Sequence, residues 1–439
     1  MANFFKASTK KHSLGQKISL DIDRLDLNGC GVGRYQKKPV FVAGALAGEK
    51  AQVKIVEQKS KYFRARLLGL EKKSEQRVKP FCQHYQQCGG CDLQHLAYRE
   101  QLSFKENKVA ELFARNQIKV PLPWQAPLLA GERHYRRKAR IGVQYAKDGA
   151  ITVGFRQKAT NDLVALDSCS VLVTAVADIF TPLKALLAKL AVKRAVGHIE
   201  VLVTGFITLT VRQLKPLSEE DKNLWLQAAG EYNWQVLIDD GREVTALTEA
   251  VALSYALPDG ISLAFDSKDF IQVNHEMNVQ MITQALDWLA LEDTDTVLDL
   301  FCGLGNFSLP VAARVRQLVG VEGVDEMVAR ADKNARDNGL NNCAFYQADL
   351  NSPWQDQPWA QQTFDKVLLD PARAGALAAI EQLVPQKIAT LLYVSCDPAT
   401  LARDSKLLLD SGYKIEKIAI MDMFSQTKHV ETMVLFSNH

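Results

Sequence analysis

Cys396, Asp370 and Glu431 are the side chains of this sequence best suited to making and breaking bonds. Cys396 follows the apolar run Tyr393-Val394-Ser395, and Asp370 follows Leu368-Leu369. Each opens a charged, proline-containing turn, Cys396-Asp397-Pro398 and Asp370-Pro371-Ala372-Arg373. In an open sheet of parallel strands the carboxyl ends face the ligand, so both side chains would point into one cavity. A cysteine there is a candidate nucleophile through its thiolate, although the commoner fate of a lone cysteine is a small buried hydrophobe. Glu431, in His429-Val430-Glu431-Thr432, leads into the apolar run Met433 to Phe436. An unpaired carboxylate entering a core strand is costly, which singles Glu431 out unless it is a surface ion-pair partner.

A second group of residues surrounds a glycine turn. Thr296 to Leu300 is an apolar strand, Phe301-Cys302-Gly303-Leu304-Gly305-Asn306 turns, and a helix follows. Lacking Cβ atoms, Gly303 and Gly305 let the backbone pass close to a ligand. Glu322 stands 23 residues beyond Asp299 at the end of the next strand, where a carboxylate can accept from ribose hydroxyls, and Asp349 ends a third strand. Turn and acids in register imply a nucleoside-bearing cofactor. A nicotinamide cofactor would want a third glycine beside its pyrophosphate, but Asn306 and Phe307 follow here. The pattern resembles the S-adenosylmethionine-dependent methyltransferases, whose cofactor has no pyrophosphate to cradle.

Four further cysteines have the spacing of metal ligands. Cys82, Cys88 and Cys91 lie within ten residues around Gly89-Gly90, and Cys169 is distant. Zinc would take the three thiolates with Cys169, His84 or His95, whereas a 4Fe-4S cluster needs four thiolates and would choose Cys169. Spacing leaves both open.

The elements that must position these groups follow from hydrophobic periodicity. Five short β-type runs between Lys17 and about Leu70, separated by glycine turns, read as a small closed barrel. Lys37, Lys38, Lys54, Lys59, Lys61, Arg64 and Arg66 lie on it with Tyr35, Tyr62 and Phe63 interleaved, a mixture used to bind single-stranded RNA, unless the aromatics simply fill the barrel. A helix at 97–118 ends at Pro121, Pro123 and Pro127 and is a candidate to pack on the catalytic domain. Residues 133–265 mix hairpins and helices, an α+β pattern. From about 270, helices alternate with buried strands, which predicts a doubly wound parallel sheet. The expected division is 11–71, 72–268 and 269–439. Arg133-His134-Tyr135-Arg136-Arg137-Lys138-Ala139-Arg140, with five basic residues in eight, is a second candidate phosphate contact.

Composition agrees with this layout. The chain is 47% hydrophobic and 23% charged, and no apolar run is long enough to span a membrane. Its first residues, with Lys6, Lys10 and Lys11, lack the apolar core of a secretory signal, so the expected location is cytoplasmic. The net charge of +3 conceals polarity. Residues 1–81 carry 18 Lys+Arg against 7 Asp+Glu, leaving 35 against 43 for the rest. Positive charge gathered at the front suits a polyanion such as RNA.

Taken together, Ser395-Cys396-Asp397-Pro398-Ala399-Thr400-Leu401-Ala402-Arg403-Asp404, Asp370-Pro371-Ala372-Arg373 and His429-Val430-Glu431-Thr432-Met433 resemble the RNA uridine C5-methyltransferases. With the cysteine loop and the basic barrel, the whole chain is similar to the iron-sulfur 23S ribosomal RNA uracil-5-methyltransferases. That resemblance implies a multidomain chain: an OB-like TRAM barrel, a central α+β domain with the iron-sulfur loop, and a Rossmann-like α/β methyltransferase domain. It implies Cys396 as nucleophile and Glu431 as general base. Gln272, Phe301, Asn306, Glu322, Asp349 and Asp370 would surround S-adenosylmethionine and the flipped base, with Phe270 as a stacking residue, and a 4Fe-4S cluster would sit on Cys82, Cys88, Cys91 and Cys169. The implied partner is 23S rRNA, bound by a monomer. Alternatives are a uridine methyltransferase acting on tRNA or another rRNA site, and an inactive metal-braced RNA-binding protein.

Overall fold

The computed structural model describes residues 13–438. The segment with Lys6, Lys10 and Lys11, and the first two residues of the expected barrel, lie outside the described residues. The chain forms two compact units. One comprises the chain through Phe81 with Cys91–Phe104 and Gln426–Lys428; the other comprises Cys82–Gly90, Lys105–Ser425 and the chain from His429.

The first unit holds a six-stranded sheet where five strands were expected. The extra one is the two-residue strand Arg24–Leu25, too short to show a period. It stands at one end of the strand order and Lys17–Asp21 at the other, yet the two are nearly consecutive in the chain, so the sheet curls round on itself. Gly33 makes the closure possible: a Cβ there would lie 2.2 Å from the Asp21 carbonyl oxygen. Leu20, Val40, Val42, Val53, Ile55 and Phe63 fill the interior. Phe63 is therefore core rather than a stacking platform, whereas Tyr35 and Tyr62 are only half-buried and Lys59, Lys61, Arg64 and Arg66 are exposed.

In the second unit a seven-stranded sheet is built from Lys138–Tyr145, Ile151–Arg156, Leu163–Ala165, Val196–Val203, Ile207–Gln213, Trp234–Asp239 and Val244–Ala246. The helices Phe180–Lys189 and Glu219–Tyr232 contribute Phe180 and Trp225 to its core. Ser218 and Asp221 form a capping box at the start of the second helix, and Asn233 ends it in the left-handed region. The basic stretch 133–140 runs into the first of these strands and does not form a uniform cationic surface. Arg137 is buried, Lys138 donates to the Ser267 and Asp269 carbonyls, and Arg140 pairs with Glu200, because alternate residues of a strand face inward.

The same unit contains a second seven-stranded sheet, with strands β1 (Thr296–Leu300), β2 (Gln317–Glu322), β3 (Cys343–Gln347), β4 (Lys366–Leu369), β5 (Thr390–Ser395), β6 (Lys414–Met421) and β7 (Glu431–Ser437). Their order is β3-β2-β1-β4-β5-β7-β6. The first five are parallel, and the central ones are buried on both faces and accordingly rich in Val and Leu. The sheet differs from the expected all-parallel one at its last two positions, where β7 enters between β5 and β6 antiparallel to both. Strand β6 is not apparent from hydrophobic pattern, because Lys414, Glu416 and Lys417 mask its apolar half, Ile418 to Met421. Packing of the sheet on the helix His275–Leu289 buries Met277, Met281, Ile282 and Ala285, each large side chain contributing about 2 kcal/mol through removal from water.

Candidate active site

Strand β5 delivers Cys396 into a turn fixed on both sides. The Asp397 amide donates to Ser395 Oγ at 3.2 Å, and the Ser395 hydroxyl donates to the Asp397 carbonyl at 3.1 Å. Asp397 then caps the helix Pro398–Asp410, its carboxylate accepting from the Ala399 and Thr400 amides. The backbone that carries the thiol is thus pinned on both sides of residue 396. Strand β7 brings Glu431 alongside. The β5–β7 ladder ends with Ser395 opposite Thr432, so Cys396 lies one step past the last pair, at the level of Glu431. On the other side of β7, Glu431 pairs with Met421. The third group, Asp370, follows β4, its amide reaching the Leu300 carbonyl of β1 at 3.4 Å. Parallel and antiparallel strands thus bring three expected residues, from 370, 396 and 431, to the same end of neighbouring strands, the carboxyl end of the parallel ones.

The electrostatics of this corner are unusual. Desolvation pushes Glu431 up to about 8, with the Asp370 carboxyl adding to the effect and the cations of Arg373 and Lys105 opposing it. Burial likewise takes Asp370 up to about 7. The Cys396 thiol is raised to about 11, by desolvation first and then by Glu431 and Asp370, again opposed by Arg373. An acid held near neutrality is suited to exchanging a proton with a substrate at physiological pH. Desolvation and the neighbouring acids thus favour the protonated thiol, and positive charge nearby favours the thiolate.

At the glycine turn, Phe301 takes a left-handed conformation with φ of 65°, rare for a bulky side chain. Its amide and that of Cys302 both donate to the Val321 carbonyl, at 2.9 and 3.1 Å, which holds the turn against β2. Glu322 completes the link: one carboxylate oxygen accepts from the Gly303 amide at 3.1 Å, the other from the Gly323 and Val324 amides. A Cβ placed on Gly303 would meet no heavy atom within 4 Å, so the turn borders open space beside an acidic side chain. Those residues fit a nucleoside with ribose hydroxyls to bind. Asn306 exchanges reciprocal 2.9 Å hydrogen bonds with Asn278 and accepts from the Tyr255 hydroxyl at 3.0 Å. Asp349 stays with its own turn, accepting from Asn351 and Ser352, which holds it below the usual carboxylate range. Phe270 is 70% exposed, open to stacking.

Several contributors carry no clear mark in the sequence. Arg137 is 4% exposed and has no carboxylate partner among the described residues. Its Nε donates to the Gln272 carbonyl at 3.0 Å, its Nη1 faces His275 Nδ1, and its guanidinium lies over the Tyr255 ring. It therefore ties the segment carrying Gln272 to the residue that holds Asn306. Asp299 on β1 is buried, accepts from the Ser308 hydroxyl, and is raised to about 7 by desolvation. Lys105 is fully buried, paired with Asp422 and donating to the Phe424 carbonyl at 3.1 Å. Nothing in the pattern sets it apart, because a lysine on a helix of low apolar content reads as solvated.

Of the metal-ligand candidates, Cys82, Cys88 and Cys169 belong to the second unit and are within electrostatic reach of one another. Burial raises the Cys88 and Cys169 thiols. The loop is pinned by the Gly89 amide, which donates to the Arg156 carbonyl at 2.9 Å. The donor set is that of a thiolate site, although no group of three or more ligating side chains among the described residues stands at metal-holding spacing.

Comparison with known proteins matches these features. The tRNA (Uracil-5-)-methyltransferase family model matches residues 97–352, a methyltransferase domain model matches 291–415, and a TRAM domain model matches 11–68. The chain is 52% identical to the 23S rRNA (uracil(1939)-C(5))-methyltransferase RlmD of Colwellia psychrerythraea and 45% identical to that of Psychromonas ingrahamii, covering 100% of each chain in both cases. Among solved structures, the fold resembles the Pyrococcus abyssi tRNA (uracil-54, C5)-methyltransferase in complex with S-adenosyl-L-homocysteine, with a TM-score of 0.75, 22% identity, and coverage of 95% of this chain and 100% of that one.

Proposed function

The chain belongs to the S-adenosylmethionine-dependent 23S rRNA (uracil-C5)-methyltransferases, and we propose that within it Cys396 is the nucleophile and Glu431 the general base. The observation that carries this reading is the β5–β7 register, which sets thiol and carboxyl at one level on neighbouring strands.

Uracil C5 is a poor nucleophile. Addition of the Cys396 thiolate to C6 forms a carbon–sulfur bond and moves the C5–C6 π electrons toward O4, leaving an enolate whose C5 can attack. S-adenosylmethionine, when bound, would supply the electrophilic methyl group on a positively charged sulfur, the sulfur–methyl bond breaking as the C5–methyl bond forms and the neutral thioether S-adenosylhomocysteine leaving. Gln272, Phe301, Asn306, Glu322, Asp349 and Asp370 hold cofactor and base in this reading. Once C5 carries the methyl group, Glu431 takes the C5 proton, the electrons reform the C5–C6 double bond, and the Cys396 thiolate leaves. The target base is reached by flipping it out of its stack.

The substrate uridine is the one named for the relatives, position 1939 of 23S rRNA, and the protein works as a cytoplasmic monomer divided near residues 72 and 269. No helix among the described residues is long and apolar enough to cross a membrane. A 4Fe-4S cluster on Cys82, Cys88, Cys91 and Cys169 braces the centre of the chain; the support is the donor set of four cysteines, and no catalytic step passes through it.

Opposite phenotypes test the two roles. Cys396→Ala binds RNA and cofactor yet forms no covalent complex. Glu431→Gln adds to C6 and accepts the methyl group, then stalls as a protein–RNA species that survives denaturing electrophoresis and carries the methyl label. Normal turnover by Glu431→Gln would remove Glu431 as the base. Mapping 5-methyluridine in rRNA from cells lacking the protein tests the substrate.

A further inference from the structure

The turn after Asp370 is held by a buried carboxylate that the methyl-transfer reading leaves unused. Asp404, on the helix Pro398–Asp410, is fully buried. Its Oδ2 accepts from the Ala376 amide and from the Tyr393 hydroxyl, both at 2.8 Å, and its Oδ1 accepts from Arg403 Nε at 2.8 Å and Nη2 at 2.7 Å. Arg403 reaches on to the Ala374 carbonyl at 2.9 Å, and the Thr400 hydroxyl donates to the Arg373 carbonyl at 3.3 Å. One carboxylate thus joins three parts: the turn 373–376, the strand β5 three residues before Cys396, and the helix that begins just after it.

The turn is shaped to accept this clamp. Gly375 has φ of +79°, and a Cβ there would stand 2.6 Å from Asp404 Oδ2 and 2.7 Å from Arg403 Nη2. Only glycine lets the carboxylate and the guanidinium close over the turn. A buried charge engaged by four donors is costly to build and justified by geometry it enforces, and what this geometry enforces is the position of residue 373. Arg373 is the cation that opposes the raised proton affinity of both Cys396 and Glu431.

We propose that Asp404 is a positioning residue that clamps the turn 373–376 between β5 and the following helix and so fixes where Arg373 presents its charge to the reacting thiol and carboxyl. The proposal rests on reading Cys396 and Glu431 as the reacting pair, but it can be tested without turnover. In the full-length protein, the rate at which iodoacetamide alkylates Cys396 is followed against pH, with the Cys396 peptide resolved by mass spectrometry. Arg373→Ala is expected to move the profile to higher pH; a displacement of half a pH unit lowers the rate at a fixed pH about three-fold. Asp404→Asn should move it the same way, and the double variant should move it no further than Arg373→Ala alone.

Gly375→Ala, whose Cβ would press on the clamp, and Thr400→Val, which removes the hydrogen bond to the Arg373 carbonyl, displace the turn while residue 404 remains an aspartate. They should reproduce the shift, which keeps the test open if Asp404→Asn does not fold. An unchanged profile in Asp404→Asn, or additive shifts in the double variant, overturns the proposal. If the profiles shift as expected while Cys396→Ala still methylates RNA, the clamp stands and the nucleophile assignment fails.

Discussion

The guanidinium carbon of Arg137 lies 4.3 Å from the centre of the Tyr255 ring, and the Tyr255 hydroxyl donates to Asn306 Oδ1. A buried cation is thereby stacked on the residue that orients Asn306 at the end of the glycine turn. Its Nη2 is buried with no hydrogen-bond partner among the described residues.

If this stack holds Gln272 and Asn306 in place, Tyr255→Phe removes one hydrogen bond of about 1 kcal/mol and should weaken S-adenosylmethionine binding roughly five-fold. Arg137→Leu, which also releases the Gln272 carbonyl, should weaken it more, with RNA binding little changed. Calorimetric titration of both variants with the cofactor measures this. Equal loss of RNA affinity would show that the central sheet as a whole had been disturbed.

The raised acids give the site a pH-dependent preference for a cation. Asp299 and Asp370 at about 7 and Glu431 at about 8 are largely protonated at pH 6 and become ionised as the pH rises through 8. Their ionised forms attract the sulfonium, so S-adenosylmethionine affinity should rise between pH 6 and 8, and binding should release protons across that window. S-adenosylhomocysteine, with no charge on sulfur, should gain less. Parallel titrations at three pH values check this; an identical pH dependence for both ligands would refute it.

Much of this layout was legible in the sequence. Glu431 stood out because a lone carboxylate opened an apolar strand, and the turn 301–306 because glycines followed a buried strand. Arg137 did not, since it sits among five basic residues and only the pleat separates the buried from the exposed. Asp404 closes the ten-residue Cys396 segment, but a carboxylate three residues beyond Leu401 on a helix reads as solvated until the turn it clamps is folded against it. The antiparallel entry of β7 was equally hidden, because an apolar strand carries no sign of its direction.

The cysteine loop predicts a coloured protein. Purified without oxygen, the full chain should be brown and contain iron and inorganic sulfide, and Cys169→Ser should lose both. Colourless protein with stoichiometric zinc would replace the cluster by a zinc site.

Exposed cations on the barrel should set the salt dependence of RNA binding. Lys61→Gln with Arg66→Gln should flatten the slope of log affinity against log salt by roughly 1 for each phosphate no longer neutralised, leaving cofactor affinity unchanged. An unaltered slope would assign the RNA grip elsewhere.

The position of β7 also links the completeness of the sheet to the presence of Glu431. Residues 431–437 lie between β5 and β6 and pair with both, so without them β6 would lose its ladder and β5 one of its two. A chain truncated before Glu431 would retain Cys396 without Glu431 and would expose two unpaired strand edges of the kind that invite aggregation. The strand that carries Glu431 is thus also the one that covers those edges.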